Sequence, residues 1–124
     1  MAQFFDVRGE WEARQSNGFV VDFVIHKQVL RVVDPAFTDV FGTASQRGAT
    51  VEGRVDGAVS GNQFFALVFW NKQSQGKYFG TFGLLQAVPR SPPYARITGY
   101  THDRMNPQDQ ATWYTADKFL LSDF

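Results

Sequence analysis

Residues 10–26 read EWEARQSNGFVVDFVIH, and this stretch decides the fold. In its second half Phe19, Val21, Phe23 and Ile25 recur at every other position, with Val20, Asp22, Val24 and His26 between them. A period of two belongs to a β-strand whose two faces meet different surroundings. Asn17-Gly18 stands just before this run, and residues 10–14 form a second extended run before it. An Asn-Gly pair between two such runs is a preferred corner of a β-hairpin, because both residues tolerate positive φ.

The same reading extends outward along the chain. Residues 39–45, 50–59, 63–71, 77–82, 95–101 and 111–119 each read as a strand, and short links rich in Gly, Asn, Ser and Gln join most of them. Residues 27–37 read as a long connection with room for one extra strand. Pro89, Pro92 and Pro93 mark 83–94 as an exposed loop, since proline cannot donate to a ladder. A second loop, 102–110, contains Asn106-Pro107, and 104–111 has room for one short helical turn. Gly42, Gly53, Gly80 and Gly99 fall inside strand patterns, where glycine serves bends or close backbone approach, as a small closed barrel requires. The expected fold is all-β: one antiparallel up-and-down meander barrel of about eight strands, in a single domain with its barrel over 9–119.

Composition agrees. Of 124 residues 44% are hydrophobic and 16% aromatic, with 13 Phe, 3 Trp and 4 Tyr, so the core is built on rings that suit a pleated surface. Twelve Lys and Arg balance 12 Asp and Glu without a run of either sign, which argues against nucleic acid as a partner. No apolar run approaches the ~18 residues of a membrane helix, so a soluble protein is expected, with no membrane partner. The N-terminus lacks a charged and apolar leader, and both a cytoplasmic protein and a mature secreted one fit. The absence of cysteine excludes a disulfide framework, a thiolate metal site and a Cys nucleophile.

Little points to catalysis. His26 and His102 are the only histidines, and His102-Asp103 reads as loop surface rather than a metal site. No G-x-S-x-G motif occurs, and Ser16, Ser60, Ser74 and Ser91 lie in turn-like stretches where Ser bonds its own backbone. The expectation is therefore no enzyme, no metal and no cofactor. Trp11, Trp70 and Trp113 each lie within a strand, where an indole caps the core or lines a pocket mouth.

In order, Gly9-Glu10-Trp11, Phe41-Gly42-Thr43, Glu52-Gly53-Arg54, Val68-Phe69-Trp70-Asn71, Tyr78-Phe79-Gly80-Thr81, Ala95-Arg96-Ile97 and Ala111-Thr112-Trp113 resemble the avidin and streptavidin barrels over 9–119. The end of the chain, from Gly99-Tyr100-Thr101-His102-Asp103 to Ala111-Thr112-Trp113, also resembles a group of small bacterial barrel sequences. The avidin resemblance implies a ligand in the open end of the barrel, with Trp around its apolar part and polar side chains on its head group. It places Trp70 and Tyr78 as pocket aromatics, Asp117 as the acidic residue near the last strand and Asn17 as a polar contact in the first turn. Ala13 and Ala44 stand where the family has an Asn and a Tyr that bond biotin, and Thr101 stands where it has a Trp. Two lost hydrogen bonds forfeit several kcal/mol at about 1–3 each, which implies a ligand other than biotin.

Three functions follow from these residues. The first is a non-catalytic protein holding a small molecule at the barrel mouth, with Trp70, Tyr78, Asp117, Asn17, Trp11 and Trp113 as candidate contacts. The second is a lectin-like protein binding a glycan on exposed Trp and Tyr with Asn, Asp and Gln from the loops, supplied by the polar turn 15–18 and the loop 102–110. The third is a structural or protein-interaction domain, such as an inhibitor, solidly filled by residues such as Phe19, Phe23, Phe65 and Phe69. Residues 64–70 are apolar throughout and Tyr78, Phe79 and Phe82 follow, although a barrel strand turns only one face inward; a homo-oligomer, dimer or tetramer, would cover the other.

Overall fold

The computed structural model describes residues 6–34, 36–49, 51–70, 74–85, 94–115 and 118–119, and no helix occurs among them. The strands are β1 (Gly9–Gln15), β2 (Val20–Leu30), β3 (Thr38–Gln46), β4 (Glu52–Ser60), β5 (Gln63–Phe69), β6 (Gln75–Leu85), β7 (Tyr94–Asp103) and β8 (Gln110–Thr115), with a two-residue β9 (Lys118–Phe119). Each strand from β1 to β8 pairs antiparallel with the next, and β1 pairs with β8. The sheet is thereby a closed eight-stranded meander barrel, and β9 pairs with the start of β7. Closure leaves no free edge along the paired strands.

The first hairpin forms as its sequence dictates. Gly18 takes φ 91°, the Gly18 amide donates to the Gln15 carbonyl at 3.1 Å, and Asn17 Oδ1 accepts from the Phe19 amide at 3.2 Å. Trp11 faces Phe23 and Ala13 faces Val21 across β1 and β2, and all four are buried. Phe19 shares their face but stands at the rim, 49% exposed, so it does not fill the core.

Several expectations are corrected. Residues 27–30 are strand, not connection. A bulge at His26 shifts the register from Ile25–Gly42 to Lys27–Phe41, so Gln28, not Lys27, turns inward and the period of two breaks. His102 and Asp103 belong to β7, paired with Lys77 and Gly76, rather than to a loop. Gly83, Leu84 and Leu85 continue β6, and 86–93 lie outside the described residues. Within β5, Phe64, Ala66 and Val68 face inward, whereas Phe65, Leu67 and Phe69 face outward. Tyr78 and Phe82 are likewise inside.

The interior is packed with rings in edge-to-face contact. Phe23 meets Tyr78 at 5.1 Å, Tyr78 meets Trp113 at 5.7 Å, and Phe64 meets Trp113 at 6.2 Å and Phe82 at 6.3 Å between centroids. The space left between Trp11, Phe23, Phe64 and Trp113 is about 10 Å³, so this part of the barrel is solid. Glycines let the wall curve tightly around it. A Cβ on Gly42 would overlap the Val24 carbonyl oxygen, and one on Gly99 would overlap that of Phe79.

One end of the barrel is plugged. Val7, fully buried, donates its amide to Gln28 Oε1 at 2.9 Å and accepts from the Trp11 indole at 2.8 Å, while Gln28 Nε2 donates to Thr38 Oγ1 at 2.8 Å. The bulge that turned Gln28 inward thus supplies the polar pair that seats this segment.

Candidate functional site: the open end of the barrel

At the opposite end the ends of paired strands come together: Gln15 and Val20, Gln46 and Glu52, Phe69 and Gln75, and Asp103 and Gln110. They surround a recess of about 130 Å³ lined by Gln15, Asn17, Phe19, Val21, Gln46, Trp70, Ser74, Gly76, Tyr78, Thr101, His102, Asp103, Asp109 and Ala111.

Tyr78 forms the floor. Its ring rests on Phe23 and Trp113, and its hydroxyl accepts from Gln15 Nε2 at 2.6 Å. Burial pushes its pKa up to about 12, against the pull of hydrogen bonds with Gln15 and Thr101, so it remains a neutral phenol. Trp70 forms one wall, packed partly against the core. Gly76 keeps the gap between them clear: a Cβ there would stand 3.0 Å from the Tyr78 ring and 3.4 Å from Trp70 Nε1.

Asp103 anchors the facing rim. Its carboxylate accepts from Ser74 Oγ at 2.7 Å and from the amides of Met105 at 2.8 Å and Asn106 at 3.3 Å. Partial burial raises its pKa, but the bonds from Ser74 and from backbone amides outweigh that and hold it below the usual carboxylate value. Asp103 therefore acts as a fixed anion that shapes the loop.

The rim is tied strand to strand. Ser16 and Thr112 exchange hydrogen bonds at 2.8 and 3.0 Å, and the Arg104 amide donates to the Gln75 carbonyl at 2.6 Å. Arg47 donates its amide to the Val20 carbonyl at 2.9 Å and bridges Glu12 at 2.7 Å and Asp22 at 2.8 Å. Links fastened in this way lose little freedom when a ligand enters, which is the condition for a preorganised site.

No family model, curated protein or solved structure matches the chain. The resemblance to avidin remains an expectation from the sequence motifs.

The structure gathers Trp70, Tyr78 and Asn17 into this recess. Trp113 lies beneath it in the core, supporting Tyr78 and donating its indole N–H to the Tyr100 carbonyl at 3.0 Å. Trp11 lies in the plugged half, bonded to Val7, and takes no part in the mouth. Asp117 lies outside the described residues. Gln15 and Asp103 join the site from the polar turn 15–18 and the loop 102–110 read as glycan contacts, Ser74 and Thr101 join it although neither was read as a ligand contact, and Gln46 was not singled out from sequence. Their signal was position: each stands within two residues of a strand end on the side where the first hairpin turns. Ala13 and Ala44 are buried below, and Phe23, directly across from Ala44, places its ring on Tyr78.

Proposed function

We propose that this chain is a non-catalytic binding protein that takes the polar head of a small molecule other than biotin into the open end of its barrel. One observation carries the reading: above a core that is filled around Trp11, Phe23, Phe64 and Trp113, the barrel has a polar recess at one end, set between Trp70 and Tyr78. An aromatic wall with a few convergent polar groups is the usual composition of a small-molecule site. Its 130 Å³ falls below the roughly 300 Å³ of a pocket that swallows a drug-sized ligand, so the rest of the molecule stands in solvent beside Phe19 and Trp70. The neutral Tyr78 hydroxyl and the amides of Gln15 and Gln46 suit a head group that both donates and accepts. The carboxylates of Asp103 and Asp109 disfavour an anion there.

The test is a thermal-shift screen of small amides, cyclic ureas and heterocyclic bases. A compound held in the mouth raises the midpoint in proportion to its concentration and affinity. That rise disappears in Trp70→Ala and persists in Tyr114→Ala, whose side chain is exposed away from the recess. A rise that survives Trp70→Ala, or none with any compound class, overturns the reading.

A further inference from the structure

We propose that the outer face of β5, β6 and β7 carries a second site, independent of the mouth, for a neutral carbohydrate. The strand register builds it. Phe65, Phe79 and Tyr100 stand opposite one another on successive strands, and Gln63, Thr81 and Thr98 form the next outward row. A groove of about 380 Å³ runs between the rows, floored by Gly80 and Gly99.

The aromatic row is ordered by its own contacts. Phe79 lies 5.2 Å from Phe65, and it stacks on Tyr100 at 5.0 Å and 23° and on His102 at 5.9 Å and 19°. Tyr100, the last aromatic in its row, is 56% exposed. A pyranose has an apolar C–H face and a rim of hydroxyls. The first suits an aromatic side chain, and the second pairs with the hydroxyls of Thr81 and Thr98 and the amide of Gln63. Rows two residues apart on one strand face are about 7 Å apart, within the span of one sugar ring.

The polarity of the groove selects this occupant over others. None of its lining side chains carries a charge at neutral pH, so a phosphate, a nucleic acid or an acidic peptide finds no partner there. A second copy of the chain or a lipid surface would cover the aromatic row, but it would also strip water from Gln63, Thr81 and Thr98, which costs free energy unless each is paired.

The experiment is an amide chemical-shift titration of the full chain with maltose, cellobiose, mannobiose and chitobiose up to roughly 50 mM, the range that detects millimolar affinity. At least one sugar is expected to shift residues 63–65, 79–81 and 98–100. Tyr100→Ala weakens that binding by at least about tenfold, and Trp70→Ala leaves it unchanged. Tyr100 is exposed, so its variant keeps the fold, which the same spectra verify. Shifts confined to the barrel mouth overturn the proposal, as does the absence of shifts with all four sugars. Light scattering on the same samples adds one outcome: a dimer that Tyr100→Asp dissociates assigns the face to a second copy and also overturns it.

Discussion

Gly99 shows how much of this fold rests on single atoms. It faces Gly80 across β6 and β7, and the Phe79 carbonyl occupies the place a Cβ would take. Gly99→Ala is expected to lower stability by at least about 2 kcal/mol, at the upper part of the range for overpacking, because backbone rather than a flexible side chain must yield. Gly83→Ala is the control, since the nearest atom to its Cβ is 3.9 Å away, and it should stay within about 0.5 kcal/mol. Urea midpoints of the two variants decide the matter. Tyr78 gives a second test. An unfolded tyrosine ionises near 10.0 and the folded Tyr78 near about 12, so the folded state holds its proton more tightly. Its contribution is complete below pH 10 and drains away as pH rises towards 12, by up to about 1.4 kcal/mol per pH unit. Tyr78→Phe should remove this part of the alkaline slope. It should also cost about 1–3 kcal/mol at neutral pH, because Gln15 and Thr101 lose a partner. Equal slopes in the two proteins would contradict the assignment.

At the level of elements, the alternation of 19–25 and the glycines inside strands were legible because each follows from local geometry. The stretch 27–30 was not, because the bulge at His26 inserts one residue and moves the inward position to a glutamine, which no period of two anticipates. Residues 64–70 showed apolar side chains on both faces, and only the register reveals that Phe64 fills the core while Phe65 joins the outer aromatic row. The site divides in the same way. Trp70, Tyr78 and Asn17 were placed at the mouth by the resemblance to the avidin barrels. Ser74 and Asp103 read only as turn and loop surface, because their bond spans 29 positions and exists only once β6 lies against β7. The plug carries its own prediction. Gln28→Ala leaves the Val7 amide and the Thr38 hydroxyl without this partner and should cost about 2–4 kcal/mol by urea denaturation. Affinity for any mouth ligand should be unchanged, because Gln28 lies in the other half of the barrel; loss of that affinity with the fold intact would show that the ends are coupled.

For the whole molecule, the two halves of the barrel differ in kind. One is plugged by Val7 and filled with rings, and the other opens into a recess whose rim is fastened by hydrogen bonds. This asymmetry makes biotin a sharp negative control. Below the recess stand Ala13 and Ala44, with the Phe23 ring against Tyr78, so no side chain at those two positions can bond a ureido head. Calorimetry with biotin is expected to show no binding tighter than about micromolar, and nanomolar affinity would contradict this reading. The central claim, that the open end takes the head of a small molecule, is tested most directly by amide chemical-shift mapping with the best compound from the thermal-shift screen. The account predicts saturable shifts at 15–19, 46, 70, 74–78 and 101–111, with 7–11 and 28 unmoved. Saturable shifts centred on the plugged end or the outer wall, with the mouth silent, would contradict it.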